Sequence, residues 1–150
     1  QAAFARQPGL FLASIQQWPM WPNSGRPDEN LPGNIANAIS PPGAPAAVWR
    51  AAFEALMDQV DAFRPDLILV SAGFDAHRRD PIGGAEQNLE GDFVENIARG
   101  PEDFAWATRA IVSVARARAK GRVVSSLEGG YDLEALGRSA LAHVRALADG

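Results

Sequence analysis

Residues 66–81 constrain the fold of this chain most strongly, because a short apolar run leads there directly into a polar segment. The run from Leu67 to Val70 is bounded by Pro65 and Gly73, which is typical of a strand buried in a parallel sheet. Asp75 follows at once, and parallel α/β sheets bind ligands beyond the carboxyl ends of their strands. Asp75 is therefore either a site residue or an aspartate that caps a turn, and the spacing leaves both interpretations open.

The C-terminal part of the chain alternates strands and helices. The predicted elements are strand 66–73, helix 101–119, strand 122–127 and helix 132–147. Strands joined through a helix lie parallel in one sheet, so their carboxyl ends share one edge. Asp75 and Tyr131 each come just after a strand, and we therefore expect a carboxylate and a phenol on the same rim. The predicted fold class is α/β with a parallel sheet.

The last predicted helix has an apolar stripe. Its members are Leu133, Leu136, Ala140, Val144 and Leu147. Residues at this spacing share one helix face, which predicts that they pack against the core. His143 lies beside the stripe, and we expect it to be partly buried or at the surface rather than a metal ligand.

The first 65 residues predict two more strands and one helix. The strands lie at 10–15 and 34–39. An amphipathic helix begins after Pro45 and ends at Pro65. Its buried stripe is predicted to be Trp49, Phe53, Leu56, Val60 and Phe63.

Two segments resist assignment to a regular element. The loop after the first strand carries Trp18 and Trp21, which either pack as a small satellite core or line a pocket. Residues 82–100 show no clear periodicity beyond a short helical turn near 93–98. A connection of this length is either a lid or a contact surface for a partner.

Composition limits the classes of function. The 150 residues carry a net charge of −4, which disfavours sequence-independent nucleic-acid binding. No apolar run is long enough to span a membrane, and no signal peptide is visible. The absence of cysteine excludes disulfides and thiolates, so a metal would take oxygen and nitrogen ligands, and it is compatible with the cytoplasm. The chain begins at Gln1, from which we expect a fragment of a longer domain.

Two segments resemble signatures of the zinc-dependent histone deacetylase family, which includes acetylpolyamine amidohydrolases and acetoin-utilisation proteins. The first is Ser71-Ala-Gly-Phe-Asp-Ala-His77 followed by Asp80-Pro81, and the second is Leu127-Glu-Gly-Gly-Tyr131. The resemblance implies the three-layer arginase/deacetylase-like fold, with this chain as its C-terminal half. It also implies that Asp75 is a zinc ligand and that Tyr131 donates a hydrogen bond to the substrate carbonyl.

The resemblance assigns further residues to the site. It implies that Trp21, Pro22 and Ile82 line a tunnel for an acyl-lysine chain. Ser14 matches a position that contributes to a potassium site in the family. Independently of the family, Gly129 and Gly130 either let the backbone approach a narrow tunnel or serve a turn with positive φ, and the two roles are compatible.

The resemblance also defines what this chain lacks. The family uses an Asp-x-His pair as the other zinc ligands and a tandem His-His as acid and base. The two histidines, His77 and His143, belong to neither motif, and the family gives the residue at His77 no metal role. We therefore expect the chain alone to be inactive, because catalytic zinc takes three protein ligands.

Three functions are compatible with these observations. The first is hydrolysis of the amide in acetylated lysine, an acetylpolyamine or another acylated amine. The second is a non-catalytic module that binds acylated amines, and the third is a half-domain that binds another protein through residues 83–100. The sequence does not determine the oligomeric state. No nucleic-acid or membrane partner is expected.

Overall fold

The computed structural model describes residues 1–82, 85–87, 93–95 and 100–150, and side chains only in the first and last of these ranges. The strands are β1 (Leu12–Gln17), β2 (Ile35–Ser40), β3 (Ile68–Ala72), β4 (Ala85–Gln87), β5 (Phe93–Glu95) and β6 (Val123–Leu127). The helices are α1 (Ala46–Phe63), α2 (Pro101–Arg118) and α3 (Leu133–Ala148), and a single 3₁₀ turn spans Pro27–Glu29. None of the described helices is both long and apolar enough to cross a membrane.

Two of the described strand pairs are parallel, and the strand–helix alternation predicts the pair formed by β3 and β6. In one sheet β3 pairs with β6, from Ile68 opposite Val123 to Ala72 opposite Leu127. Helix α2 makes the crossover between them, so both strands end on the same edge. In a second parallel sheet β1 pairs with β2.

Both N-terminal strands begin later than the sequence predicts. β1 begins at Leu12 rather than residue 10, because the preceding turn holds the chain there. The side-chain amide of Asn34 donates to the carbonyl of Leu10 across 2.8 Å, and the N–H of Leu10 donates to the carbonyl of Gln7. Since parallel pairing fixes the register, β2 begins opposite β1 at Ile35.

The segment predicted as a long loop contains a short antiparallel pair, β4 with β5. The prediction of a helical turn near 93–98 is wrong for Phe93–Glu95, which is β5. Residues 83–84, 88–92 and 96–99 of the predicted lid or contact surface lie outside the described residues.

Helices α1 and α2 form the main aromatic core. Four of the five residues in the predicted stripe of α1 are buried, namely Trp49, Phe53, Leu56 and Val60, and Phe63 is half-buried. Trp106 of α2 packs against both Trp49 and Phe53, with ring centroids 6.1 and 5.7 Å away. Helix α1 ends at Phe63, after which Arg64 takes a left-handed conformation and leads into Pro65.

Helix α3 is rotated relative to the predicted stripe. Its buried residues are Ala135, Ser139, His143 and Ala146, whereas Leu133 is 81% exposed and Val144 is also exposed. The prediction that His143 is partly buried or at the surface is therefore wrong. The imidazole is buried because hydroxyl groups from two other elements satisfy both ring nitrogens, which removes most of the cost of burying a polar group.

Strand β3 is less buried than predicted. Leu69 is 72% exposed, and its register partner Val124 is exposed on the same face. Successive side chains of a strand point to opposite faces, so Ala72 packs inwards with Phe74 and Phe104 while Leu69 points away from them. Among the described residues, no layer covers the face that carries Leu69.

Candidate functional site

Asp75 lies just beyond the carboxyl end of β3, where Gly129 leaves room for its side chain. A Cβ built on Gly129 would overlap the Asp75 carboxylate, so only glycine fits at this position. The two loops are tied together by backbone hydrogen bonds, from Phe74 N–H to the Gly129 carbonyl at 2.8 Å and from Glu128 N–H to the Ala72 carbonyl at 3.0 Å. The carboxylate is thus held against the segment that leads to Tyr131.

Gly130 serves the turn that leaves β6. Its φ of 139° lies in the region that favours glycine, and an added Cβ would lie 2.8 Å from the Cδ1 of Leu136. The next residue but one, Asp132, caps α3 by accepting a hydrogen bond from the Ala135 N–H at 2.8 Å. Tyr131 is therefore fixed between a glycine turn and a helix cap.

Asp80 connects the loop after β3 to Tyr131. The carboxylate is 2% exposed and accepts hydrogen bonds from the N–H groups of Ile82 at 2.9 Å and Tyr131 at 2.6 Å. His77, also buried, has a structural role here, since its Nδ1 accepts from the Arg79 N–H at 3.1 Å. The signature segment contains Asp80, but nothing in the sequence predicts its bond to Tyr131.

Most of the predicted site residues line one cleft of about 820 Å³. Those that line it are Trp21, Pro22, Asp75, Ile82, Gly129 and Tyr131. The Tyr131 side chain is 54% exposed and is therefore available to a ligand. Two predicted site residues lie away from the cleft lining: Gly130 shapes the turn, and Ser14 lies on β1 opposite Asn37.

Apolar side chains of α1 and α2 also line the cleft. Trp49 and Phe53 of α1 line it, together with Phe104 and Ile111 of α2. An aliphatic chain would be desolvated against these side chains, while its polar end met the Asp75 carboxylate and the Tyr131 hydroxyl. The shape and polarity suit an elongated ligand with one polar end.

Burial raises the pKa of the Asp75 carboxyl, and the nearby negative charge of Asp80 raises it further. Hydrogen bonds from the backbone N–H groups of Asp75 and Ala76 oppose this shift. A cation would relieve the cost of holding the ionised carboxylate here. Asp75 is therefore suited to contribute to a metal site.

The described residues alone do not fit a complete zinc site. Catalytic zinc takes three protein ligands, and the part of the chain that the structure describes holds no group of three His, Asp or Glu side chains that could bind a metal. Asp75 is one suitable ligand, and His77 and His143 are engaged in hydrogen bonds to protein groups.

His143 and Gln16 are among the residues that line the cleft but were not predicted as site residues. His143 reaches it from the buried face of α3, and Gln16 reaches it from the end of β1. Neither belongs to a recognisable motif. For Gln16 the only signal is its position at the carboxyl end of a predicted strand, where ligand sites of parallel sheets lie.

Proteins of known family resemble this chain along nearly its whole length. The model of the histone deacetylase domain matches residues 1–147. Histone deacetylase 10, chloroplastic, from Oryza sativa subsp. japonica is 37% identical over 142 residues, which cover 91% of this chain and 29% of that protein. A probable deacetylase of Methanothermobacter thermautotrophicus is 43% identical over 88 residues, which cover 59% of this chain and 22% of that protein.

Solved structures share the fold. The histone deacetylase Clr3 superposes with a TM-score of 0.80 at 29% identity, covering 99% of this chain and 24% of that one. Acetylpolyamine aminohydrolase from Burkholderia pseudomallei gives a TM-score of 0.73 at 23% identity and covers 92% of this chain and 37% of that one, which supports the fold alone. The chain thus spans well under half the length of these relatives. It has the arginase/deacetylase fold and belongs to the histone deacetylase domain family.

Proposed function

We propose that this chain is the C-terminal part of a zinc-dependent amidohydrolase that removes acetyl groups from acetylated lysine or a related acylated amine. One observation carries the proposal: Asp75 and Tyr131 line the same cleft, together with apolar side chains of α1 and α2. The names of the relatives, histone deacetylase and acetylpolyamine aminohydrolase, point to acetylated amines as the substrate class.

The residues of this chain take three roles in the proposal. Trp21, Pro22 and Ile82 line the path of the aliphatic chain, and the Tyr131 hydroxyl donates a hydrogen bond to the acyl carbonyl oxygen. Asp75 supplies one metal ligand, and the other ligands come from elsewhere in the complete gene product. The reaction adds water to the carbonyl carbon and breaks the C–N bond, releasing acetate and the protonated amine.

The proposal is tested by measuring acetate release from an acetyl-lysine peptide and from an acetylpolyamine. The complete gene product and this 150-residue chain are compared, each with its zinc content measured, beside an Asp75→Ala variant of the complete product. We expect activity only in the complete product, and loss of activity in the variant. Activity of the 150-residue chain alone would overturn the assignment of a split site.

An inactive complete product without zinc would favour a module that binds acylated amines. A cytoplasmic location and a potassium site that includes Ser14 stay predictions.

A further inference from the structure

Gln16 joins the end of β1 to the far end of the aromatic loop. Its side-chain Nε2 donates a hydrogen bond to the carbonyl of Ser24, eight residues along the chain. Gln16 also lines the cleft, although no described contact joins it to Asp75 or Tyr131. The side chain therefore connects a strand of the scaffold to a loop on the rim.

Gly25 is the second part of this connection. Its φ of 87° is left-handed, and a Cβ added there would lie 2.5 Å from the Nε2 of Gln16. Any residue other than glycine would be strained in its backbone and would displace the Gln16 amide. The Gly25 N–H donates to the Glu29 carboxylate at 3.0 Å, which fixes the next peptide.

The loop held in this way carries Trp21 and Pro22, which form one wall of the cleft. Trp21 is 85% exposed, so packing against the core does not hold its indole in place. Its position depends on the loop backbone, which is anchored at its start by the bond from Trp18 N–H to the Ser40 carbonyl and at its end by Gln16. Releasing the Gln16 anchor would therefore move the wall.

We propose that Gln16 is a positioning residue that determines substrate specificity by fixing the Trp21–Pro22 wall through Ser24 and Gly25. The inference rests on the proposed deacetylase function. It predicts a separation of effects, because the proposed reacting groups Asp75 and Tyr131 are held by the other sheet, through Gly129 and Asp80. Loosening the wall weakens binding of the substrate chain and leaves those two groups in place.

The first experiment measures kcat and KM of the complete gene product with Gln16→Glu, which keeps the side-chain shape but removes the N–H donor. We expect KM for an acetyl-lysine peptide to rise roughly fivefold and kcat to stay within about twofold, because the lost interaction concerns binding rather than the reacting groups. The preference for acetyl-lysine over bulkier butyryl-lysine should fall. Gln59→Ala is the control, since Gln59 is exposed and, within the described residues, its amide donates to the Ala55 carbonyl in α1.

The second experiment measures hydrogen exchange of peptides that cover residues 17–26. Faster exchange is expected in Gln16→Glu and in Gly25→Ala, with no change in Gln59→Ala. This readout needs no activity, so it tests the anchor even if the complete product fails to hydrolyse acylated amines. Unchanged exchange, or an active enzyme whose KM is unchanged in Gln16→Glu, would overturn the inference. An inactive wild-type enzyme with faster exchange in the variants would confirm the anchor and refute the deacetylase function and, with it, the role in specificity.

Discussion

The backbone N–H of Tyr131 donates a hydrogen bond to the Oδ2 of Asp80 across 2.6 Å, although 51 residues separate them. The other oxygen of the carboxylate accepts from Ile82 N–H, so one buried side chain orders both the loop after β3 and the turn after β6. The rim of the cleft is therefore a single hydrogen-bonded unit, and its geometry depends on a residue that does not line the cleft.

Replacing Asp80 with asparagine should loosen this unit. The amide NH₂ cannot accept a hydrogen bond, so one buried N–H loses its partner, at a cost of about 1–3 kcal/mol in the free energy of unfolding. Urea denaturation of the variant measures this cost. Asp66→Asn is the control, because the Asp66 side chain is fully exposed. Equal stability of the two variants would contradict the role given to Asp80.

Replacing Tyr131 with phenylalanine should affect turnover and spare stability. Under the proposed function the hydroxyl donates to the developing oxyanion, and loss of one such donor lowers kcat by roughly 10²–10³-fold. The side chain is largely exposed, so the free energy of unfolding should stay within about 0.5 kcal/mol of the unmodified protein. Steady-state kinetics of the complete gene product and thermal denaturation measure the two effects. An unchanged kcat would refute the role of the hydroxyl.

Asp75→Asn should make the metal-free chain more stable at neutral pH while abolishing turnover of the complete product. Burial and the charge of Asp80 raise the pKa of the Asp75 carboxyl, so the ionised form opposes folding above that pKa and the neutral form does not. The asparagine removes the charge at similar volume. Denaturation in the presence of a chelator, with exposed Asp58→Asn as control, measures the gain. A less stable variant would contradict this account.

His143 joins three elements in a defined protonation state. The Thr108 hydroxyl donates to the Phe104 carbonyl at 2.6 Å, so it accepts from Nδ1–H of His143 at 2.7 Å. The Nε2 then accepts from the Ser125 hydroxyl at 2.8 Å. Burial lowers the pKa of His143, since the charged ring would lose its hydration. The side chain of His143 is therefore neutral in the native protein.

Stability should fall as the pH drops below about 6.5, the usual pKa of histidine in an unfolded chain. Below that pH, His143 is protonated in the unfolded chain but stays neutral in the native protein. The free energy of unfolding therefore decreases until the pH reaches the lowered pKa of native His143. Urea denaturation between about pH 7.5 and 5.5 should show a shallower slope in His143→Gln. The remaining slope includes His77, whose pKa burial and Arg78 also lower, and Asp75, whose raised pKa contributes with the opposite sign. An identical slope would refute the assignment.

The rim was predictable because it follows from local rules. Strands joined by a helix pair in parallel, and this rule alone places Asp75 and Tyr131 on one edge of the sheet. The buried face of α3 was not predictable in this way. His143 is buried only because Thr108 and Ser125, 35 and 18 residues away, supply matching hydroxyls.

Two other features depend on tertiary contacts that no short pattern encodes. An apolar residue such as Leu69 fits a buried strand by composition, yet its exposure depends on what covers that face. The role of Gln16 depends on Ser24 and Gly25 at the end of a loop with no periodicity. Motifs therefore identified the residues proposed for chemistry, and the structure was needed for the residues that position them.

Ser139→Ala should stabilise the protein. Ser139 is fully buried in α3, and within the described part of the chain its hydroxyl has no hydrogen-bond partner, which is costly in an apolar environment. Alanine removes the hydroxyl and has a higher helix propensity, worth at most about 0.5 kcal/mol. Ser113→Ala, at an exposed position of α2, reports the propensity gain alone. We expect the free energy of unfolding to rise by about 1 kcal/mol more in Ser139→Ala than in Ser113→Ala, and equal gains would show that the buried hydroxyl carries no penalty.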